Sequence, residues 1–276
     1  MPRRLLRSKR LLFSLAIVLA VFLGAIFAPQ ITDYDPTDIN PRLTLRGPIA
    51  GHPLGTDEFG RDILSRLLYG ARPTLIVATA ATAGATLVGV SLGLLAGYYR
   101  GPLEVLIMRA ADVLLCIPPI VLAMMVVGFL GPSILNLTIV IGVLSTPTFV
   151  RLAFAETIRV REMDYVKAAE SVGARDGRIL LRHLLPNITA PVIVQFSLTM
   201  ASAILLESGL SFLGLGVVQP TPSWGLMIAT ARGYMSQAPT YILFPSLTIA
   251  ITILAINTIG DTLRDLLDPR LRRSSR

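Results

Sequence analysis

Ser211, Cys116, His52, His183, Lys9 and Lys167 are the side chains from which nucleophilic, metal-binding or phosphate-binding chemistry would start in this sequence. Gly209-Leu210-Ser211 has the outline of a membrane serine hydrolase, which needs a histidine base within reach of the hydroxyl. The two histidines, His52 and His183, fall outside the apolar segments and on opposite sides of them, so neither serves Ser211. No H-E-x-x-H pattern is present. Cys116, alone, forms neither an intrachain disulfide nor a thiolate metal cluster. Lys9 and Lys167 are the only lysines and neither follows glycine, so no Walker A loop holds a nucleotide phosphate. The expectation is a protein that is not an enzyme, with no catalytic residues, no metal and no cofactor of its own.

Charge is concentrated instead in VKAAESVGARDGRILLRHLLP, residues 166–186, where Lys167, Glu170, Arg175, Asp176, Arg178 and Arg182 crowd together between greasy neighbours. Residues 156–172 read as one helix, with Ile158, Met163, Val166, Ala169 and Val172 as its less polar positions. Gly173 is placed to end it in the left-handed conformation. A second helix is expected from about Asp176 towards Leu185, limited by Pro186. Such a hairpin has an apolar side it cannot bury alone. It is either an interfacial element lying on headgroups or a docking element for a cytoplasmic partner.

Other polar groups stand out against the apolar background. Glu207 is an acid within a span, either paired with a group such as Arg232 or forming a polar wall of a solute path. Arg109 and Asp112, one turn apart, read as a local ion pair at the interface. GTDEFGRDILSRLLYG, from Gly55 to Gly70, reads as a surface helix capped by Thr56 or Asp57, with Asp62 and Arg66 as an i,i+4 pair. That helix either anchors the following span or, through Thr56, Asp57, Arg61 and Asp62, touches a soluble partner. Trp224 suits an outer-interface aromatic.

The elements carrying these groups are membrane spans. The chain is 53% hydrophobic and 15% charged, against roughly 25% charged in an average soluble domain. Leu11–Pro29 is close to the ~20 residues a spanning helix needs and is read as a retained first span rather than a cleaved signal. Pro73–Tyr99, Val105–Leu130, Ile134–Val150, Ile188–Leu206 and Tyr241–Gly260 complete an expected all-α bundle of six transmembrane helices. Gly84, Gly89, Gly93 and Gly97 on the second span suit close helix packing. Residues 1–10 form a basic tail, 30–72 an external segment with an interfacial helix, 73–262 the core and 263–276 a second tail. The net charge of +8 gathers at membrane edges, which favours topology over nucleic acid as its meaning. Arg3, Arg4, Arg7, Lys9 and Arg10 at one end and Arg264, Arg270, Arg272, Arg273 and Arg276 at the other place both termini, with the 156–186 loop, in the cytoplasm.

Ala168-Ala169, Gly173 and Leu185-Pro186 resemble, in order and spacing, the cytoplasmic loop of ABC-importer permeases. HPLGTDEFGRDILSRLLYGARPTL (52–75), SFLGLGVVQPTPSWGLMI (211–228) and GDTLRDLLDPRLRR (260–273) resemble the permease subunits of dipeptide and oligopeptide importers and their nickel-importing relatives. The resemblance covers nearly the whole chain. It implies a type I ABC importer permease fold in a bacterial or archaeal cytoplasmic (inner) membrane, with ATP-driven alternating access. It also implies a second permease subunit as heterodimer partner, two ABC ATPase subunits that hydrolyse the ATP, and an extracytoplasmic substrate-binding protein. The ATPase-coupling residues it implies are Lys167, Ala168, Ala169, Glu170, Gly173, Leu185 and Pro186. At Lys167 the sequence departs from the glutamate common in the family, so a carboxylate contact does not carry over there; Glu170 is the candidate replacement. Di- and oligopeptides are the implied cargo, with a nickel chelate or another small solute as the alternative. An ion channel would have no need of the charged hairpin.

Overall fold

A computed structural model describes residues 8–267. The basic residues expected at the two ends, Arg3, Arg4, Arg7, Arg270, Arg272, Arg273 and Arg276, lie outside the described residues. The principal helices are α1 (Lys9–Ile26), α2 (Ile63–Tyr99), α3 (Gly101–Leu115), α4 (Pro119–Leu130), α5 (Ile134–Arg161), α6 (Asp164–Ser171), α7 (Asp176–Phe212), α8 (Trp224–Ala231) and α9 (Pro239–Leu267). Five of these, α1, α2, α5, α7 and α9, are long and apolar enough to cross a membrane singly.

The sixth crossing differs from expectation. Instead of one helix over Val105–Leu130, α3 and α4 meet at an 87° bend. Pro118 and Pro119 supply no backbone N–H and disfavour helical geometry in the residue before each of them. Pro119 then serves as a pre-set first residue of α4. Counted as one broken span, the pair brings the total to six.

The surface helix expected to end at Gly70 is also corrected. Residues 55–61 are non-helical, with Thr56 bridged to Asp62, and α2 starts at Ile63 with Asp62 as its cap, accepting from the Ser65 N–H at 2.7 Å. It continues through Gly70 and Pro73 to Tyr99, a single helix of 37 residues. Pro73 costs one backbone hydrogen bond without ending it.

α2 and α5 form the spine of the bundle. A Cβ on Gly89 would lie 2.6 Å from the Phe149 Cβ, and one on Gly97 would lie 2.8 Å from the Thr157 Cβ. Every fourth residue being hydrogen-sided lets the two backbones approach as larger residues would not. Gly84 faces open space and takes no part. Ala78, Val77, Leu137, Ile141 and Ile204 fill one apolar cluster along this spine. A second cluster, with Tyr98, Val160, Val166, Ile179 and Leu184, extends it into the charged loop.

Candidate functional site

The charged loop folds as a hairpin bedded on the ends of α2 and α5. α5 runs straight through the expected start of the hairpin helix to Arg161, and α6 is a separate helix of eight residues. Its end is a Schellman turn: Gly173 N–H donates to Glu170 O at 3.0 Å and Ala174 N–H donates to Ala169 O at 3.1 Å. Gly173 sits at φ +71°, the left-handed region that glycine enters without penalty. A Cβ there would touch nothing within 4 Å, so the requirement lies wholly in the backbone.

α7 begins at Asp176 and, against expectation, does not stop at Pro186. Residues Ile179–Leu184 widen into a π turn, in which Leu185 N–H donates to Leu180 O. That offset changes the hydrogen-bond register just before Pro186, which has no N–H to contribute, and the helix continues to Phe212.

The hairpin's apolar side is buried against its own chain. Val166, Ile179, Leu184 and Ile188 are inaccessible or nearly so, and Leu185 packs beside them. Lys167, Ala168, Gly173 and Pro186 are exposed, while Ala169 and Glu170 are half-buried. Val172, 84% exposed, and Leu181 stand out from the same surface. The residues expected to form one contact set thus divide between a foundation and an outer face.

Ion pairs brace the hairpin from within. Lys167 Nζ lies 3.0 Å from Glu162 Oε2. The hydrogen bond and positive charge of that ammonium hold the Glu162 carboxyl below the usual carboxylate range. Glu170 Oε1 lies 3.6 Å from Arg161 Nε, so this acid is engaged inside the chain. Arg161 Nη1 also donates to Tyr98 O at 2.7 Å, and Tyr98 Oη donates to Asp176 Oδ1 at 3.0 Å. Tyr98 and Arg161 escaped sequence reasoning. Their only signal was an aromatic at the end of an uncharged stretch and an arginine among many.

Glu207 is 0% exposed and does not pair with Arg232. Its Oε1 accepts from Ser211 Oγ at 2.7 Å and its Oε2 from Ser208 Oγ at 3.4 Å. Ser211 Oγ in turn accepts from Val217 N–H at 3.4 Å. Gly225 packs so closely on Ser208 and Ser211 that no side chain fits there. The acid therefore ties α7 to the returning segment 213–225, and its carboxylate faces protein atoms, with none of its surface open to a solute. Trp224, expected at the outer interface, is buried, with its indole N–H donating to Leu67 O at 3.0 Å.

Thr56, Asp57, Arg61 and Asp62 are likewise buried. Asp57 accepts from the Phe59 and Arg61 N–H groups at 2.9 Å and binds the Arg61 guanidinium at 2.6 Å. The expected Asp62–Arg66 pair does not form: Asp62 meets His52 Nδ1 at 2.9 Å, and Arg66 meets Asp57 at 3.2 Å. Contact with a soluble partner would run through the surface these four support, not through their own atoms. On the bent span, Asp112 lies 3.9 Å from Arg109 but 2.5 Å from Arg151 of α5, which makes its main ion pair interhelical.

Residues 89–273 match the family model described as "Binding-protein-dependent transport system inner membrane component". Residues 1–48 match "N-terminal TM domain of oligopeptide transport permease C". The chain is 43% identical to the dipeptide transport system permease protein DppC of Alkalihalophilus pseudofirmus, over 98% of this chain and 89% of the relative. It is 42% identical to the di/tripeptide transport system permease protein DppC of Pseudomonas aeruginosa, over 97% and 90%. Among solved structures, a chain of the MetNI methionine ABC transporter in inward-facing conformations superposes with a TM-score of 0.61 at 16% identity. That match covers 74% of this chain and 96% of the other, and supports the type I permease fold.

Proposed function

This chain belongs to the family of binding-protein-dependent transport system inner membrane components, and on that premise we propose that it is the peptide-uptake permease subunit of an ABC importer. The observation that carries the reading is end-to-end similarity at about two residues in five to permeases named for dipeptides and di/tripeptides. The chain would pair with a second permease subunit to enclose a path across the cytoplasmic membrane. Two ATPase subunits would dock from the cytoplasm, where both termini and the 162–186 hairpin lie, and a binding protein would deliver peptide from outside.

The hairpin suits the docking role for a physical reason. Its foundation is apolar and fixed to α2 and α5, while Lys167, Ala168, Val172 and Leu181 remain exposed for a partner. Closure of the ATPases on ATP would push on this face. The push biases the bundle only if the ATPase dimer binds the outward-open and inward-open states with different affinity. The deciding experiment reconstitutes the full complex in proteoliposomes and compares labelled di- to oligopeptides with nickel chelates. ATP-dependent peptide accumulation is expected. Uptake of the chelate alone across a broad panel would overturn the peptide assignment.

A further inference from the structure

Docking explains how force reaches the hairpin, not how it reaches the bundle. Within the hairpin, α6 is joined covalently to α5 through residues 162–163 and to α7 through 172–175. α2 has no such chain connection to it. Yet α2 is the helix that packs most extensively on α5, and a hairpin that tilted without moving α2 would lose its effect there.

Tyr98 supplies the missing link. It lies in the last turn of α2, 7% exposed, and its hydroxyl donates to Asp176 Oδ1 at 3.0 Å across 78 residues of sequence. Its backbone carbonyl accepts from Arg161 Nη1 at 2.7 Å, and the Arg161 guanidinium carbon stands 5.1 Å from the centre of its ring. Arg161 also faces Glu170 of α6 at 3.6 Å. Four elements therefore meet at one residue pair: the end of α2, the end of α5, the body of α6 and the start of α7. Val166 and Leu184 add apolar contact in the same cluster. Apolar surfaces tolerate sliding, whereas hydrogen bonds fail beyond a few tenths of an ångström or a modest angle. Register between hairpin and α2 is thus set by the polar contacts.

We infer that Tyr98 and Arg161 are positioning residues that clamp α2 to the hairpin and carry ATPase-driven hairpin movement into α2. The inference rests on the hairpin's proposed docking role. A clamp of this kind acts on the yield of transport per ATP rather than on whether the ATPase is held.

The test uses the assembled complex in proteoliposomes and reads two quantities: ATPase subunits retained, and peptide transported per ATP hydrolysed. Tyr98→Phe and Asp176→Ala are expected to retain the ATPase subunits while the ratio falls about tenfold, the equivalent of one net hydrogen bond to a charged acceptor. Asp176→Asn, which still offers a carbonyl oxygen to the hydroxyl, is expected to restore most of the ratio. The Tyr98→Phe/Asp176→Ala double variant should be no worse than Asp176→Ala alone, because the Tyr98–Asp176 interaction is already lost in that single variant. A wild-type ratio in Tyr98→Phe, additive losses in the double variant, or loss of ATPase subunits from Tyr98→Phe would each overturn the clamp. Ala168→Arg, on the exposed hairpin face, separates the two ideas. If it releases the ATPase while Tyr98→Phe is fully coupled, the clamp alone fails; if it neither releases nor uncouples the ATPase, the docking reading fails and the clamp with it.

Discussion

Gly93 of α2 and Val150 of α5 are in backbone contact: a Cβ on Gly93 would stand 2.5 Å from the Val150 carbonyl oxygen. Nothing flexible can yield there, because the obstacle is backbone. The neighbouring Gly89 and Gly97 meet the same helix, so the spine closes along the half of α2 that ends at Tyr99. Gly84, one turn and a half earlier on α2, has no atom within 4 Å.

The first prediction follows from that contrast. Gly93→Leu should destabilise the folded chain by more than the ~1–3 kcal/mol typical of overpacking. Gly84→Leu should insert and fold normally. Thermal unfolding in detergent, followed by size-exclusion profile, distinguishes them; equal behaviour of the two variants would show that the spine is not closely packed.

Gly173 tests backbone conformation without steric interference. Gly173→Val must hold a left-handed residue, at a cost of about 1–2 kcal/mol for an ordinary side chain and more for a branched one. The expected result is loss of ATPase retention or coupling with insertion intact. Gly173→Asn, which tolerates φ > 0, should recover much of it. An asparagine variant as defective as the valine variant would point away from the turn.

Glu207 should act as a latch for segment 213–225. Glu207→Gln keeps an oxygen to accept from Ser211 and is expected to transport peptide near the wild-type rate. Glu207→Ala leaves the buried Ser211 hydroxyl without its acceptor, at a cost of roughly 1–3 kcal/mol, and should lower the unfolding temperature. If the glutamine variant binds the loaded complex normally but cannot transport, the negative charge itself is required.

The Glu162–Lys167 pair gives a pH dependence whose sign is fixed. Because the folded-state carboxyl is held below its ordinary value, its contribution is present above the unfolded value and fades as pH falls through the folded one. Both groups are exposed, so the effect is small and screened by salt. Titration of the Glu162 carboxyl by NMR should show its midpoint rise in Lys167→Met and in high salt. An unchanged midpoint would mean that the ammonium is not its cause.

Much of the architecture was legible because lipid imposes a simple rule on sequence. Uncharged runs had to be helices, and Leu11–Pro29, Pro73–Tyr99 and Tyr241–Gly260 all lie mostly within helices that exist. Gly173 was legible too, since a glycine between two amphipathic stretches has few other uses. Local signals misled where several outcomes satisfied them. Pro118-Pro119 lay in plain view, but hydropathy is blind to direction and read a straight span where the backbone turns by 87°. Asp62 and Arg66 stand four apart on one helix, yet capping and His52 claim the acid, while Asp57 draws the arginine away. Glu207 read either as an ion-pair partner of a group such as Arg232 or as a polar wall of a path, because sequence records neither its burial nor its serine partners.

Composition, periodicity and charge placement determined that this chain is a multi-span helical protein with a charged hairpin between its fourth and fifth crossings. Which buried groups share a partner was decided only by the fold. Tyr98 and Asp176 are 78 residues apart, and their hydrogen bond exists because glycines on α2 let α5 come close enough to set Arg161 and the hairpin beside the end of α2. A hydrogen bond is satisfied within about 3 Å regardless of sequence separation, and no local pattern encodes a distance set by the packing of two other helices.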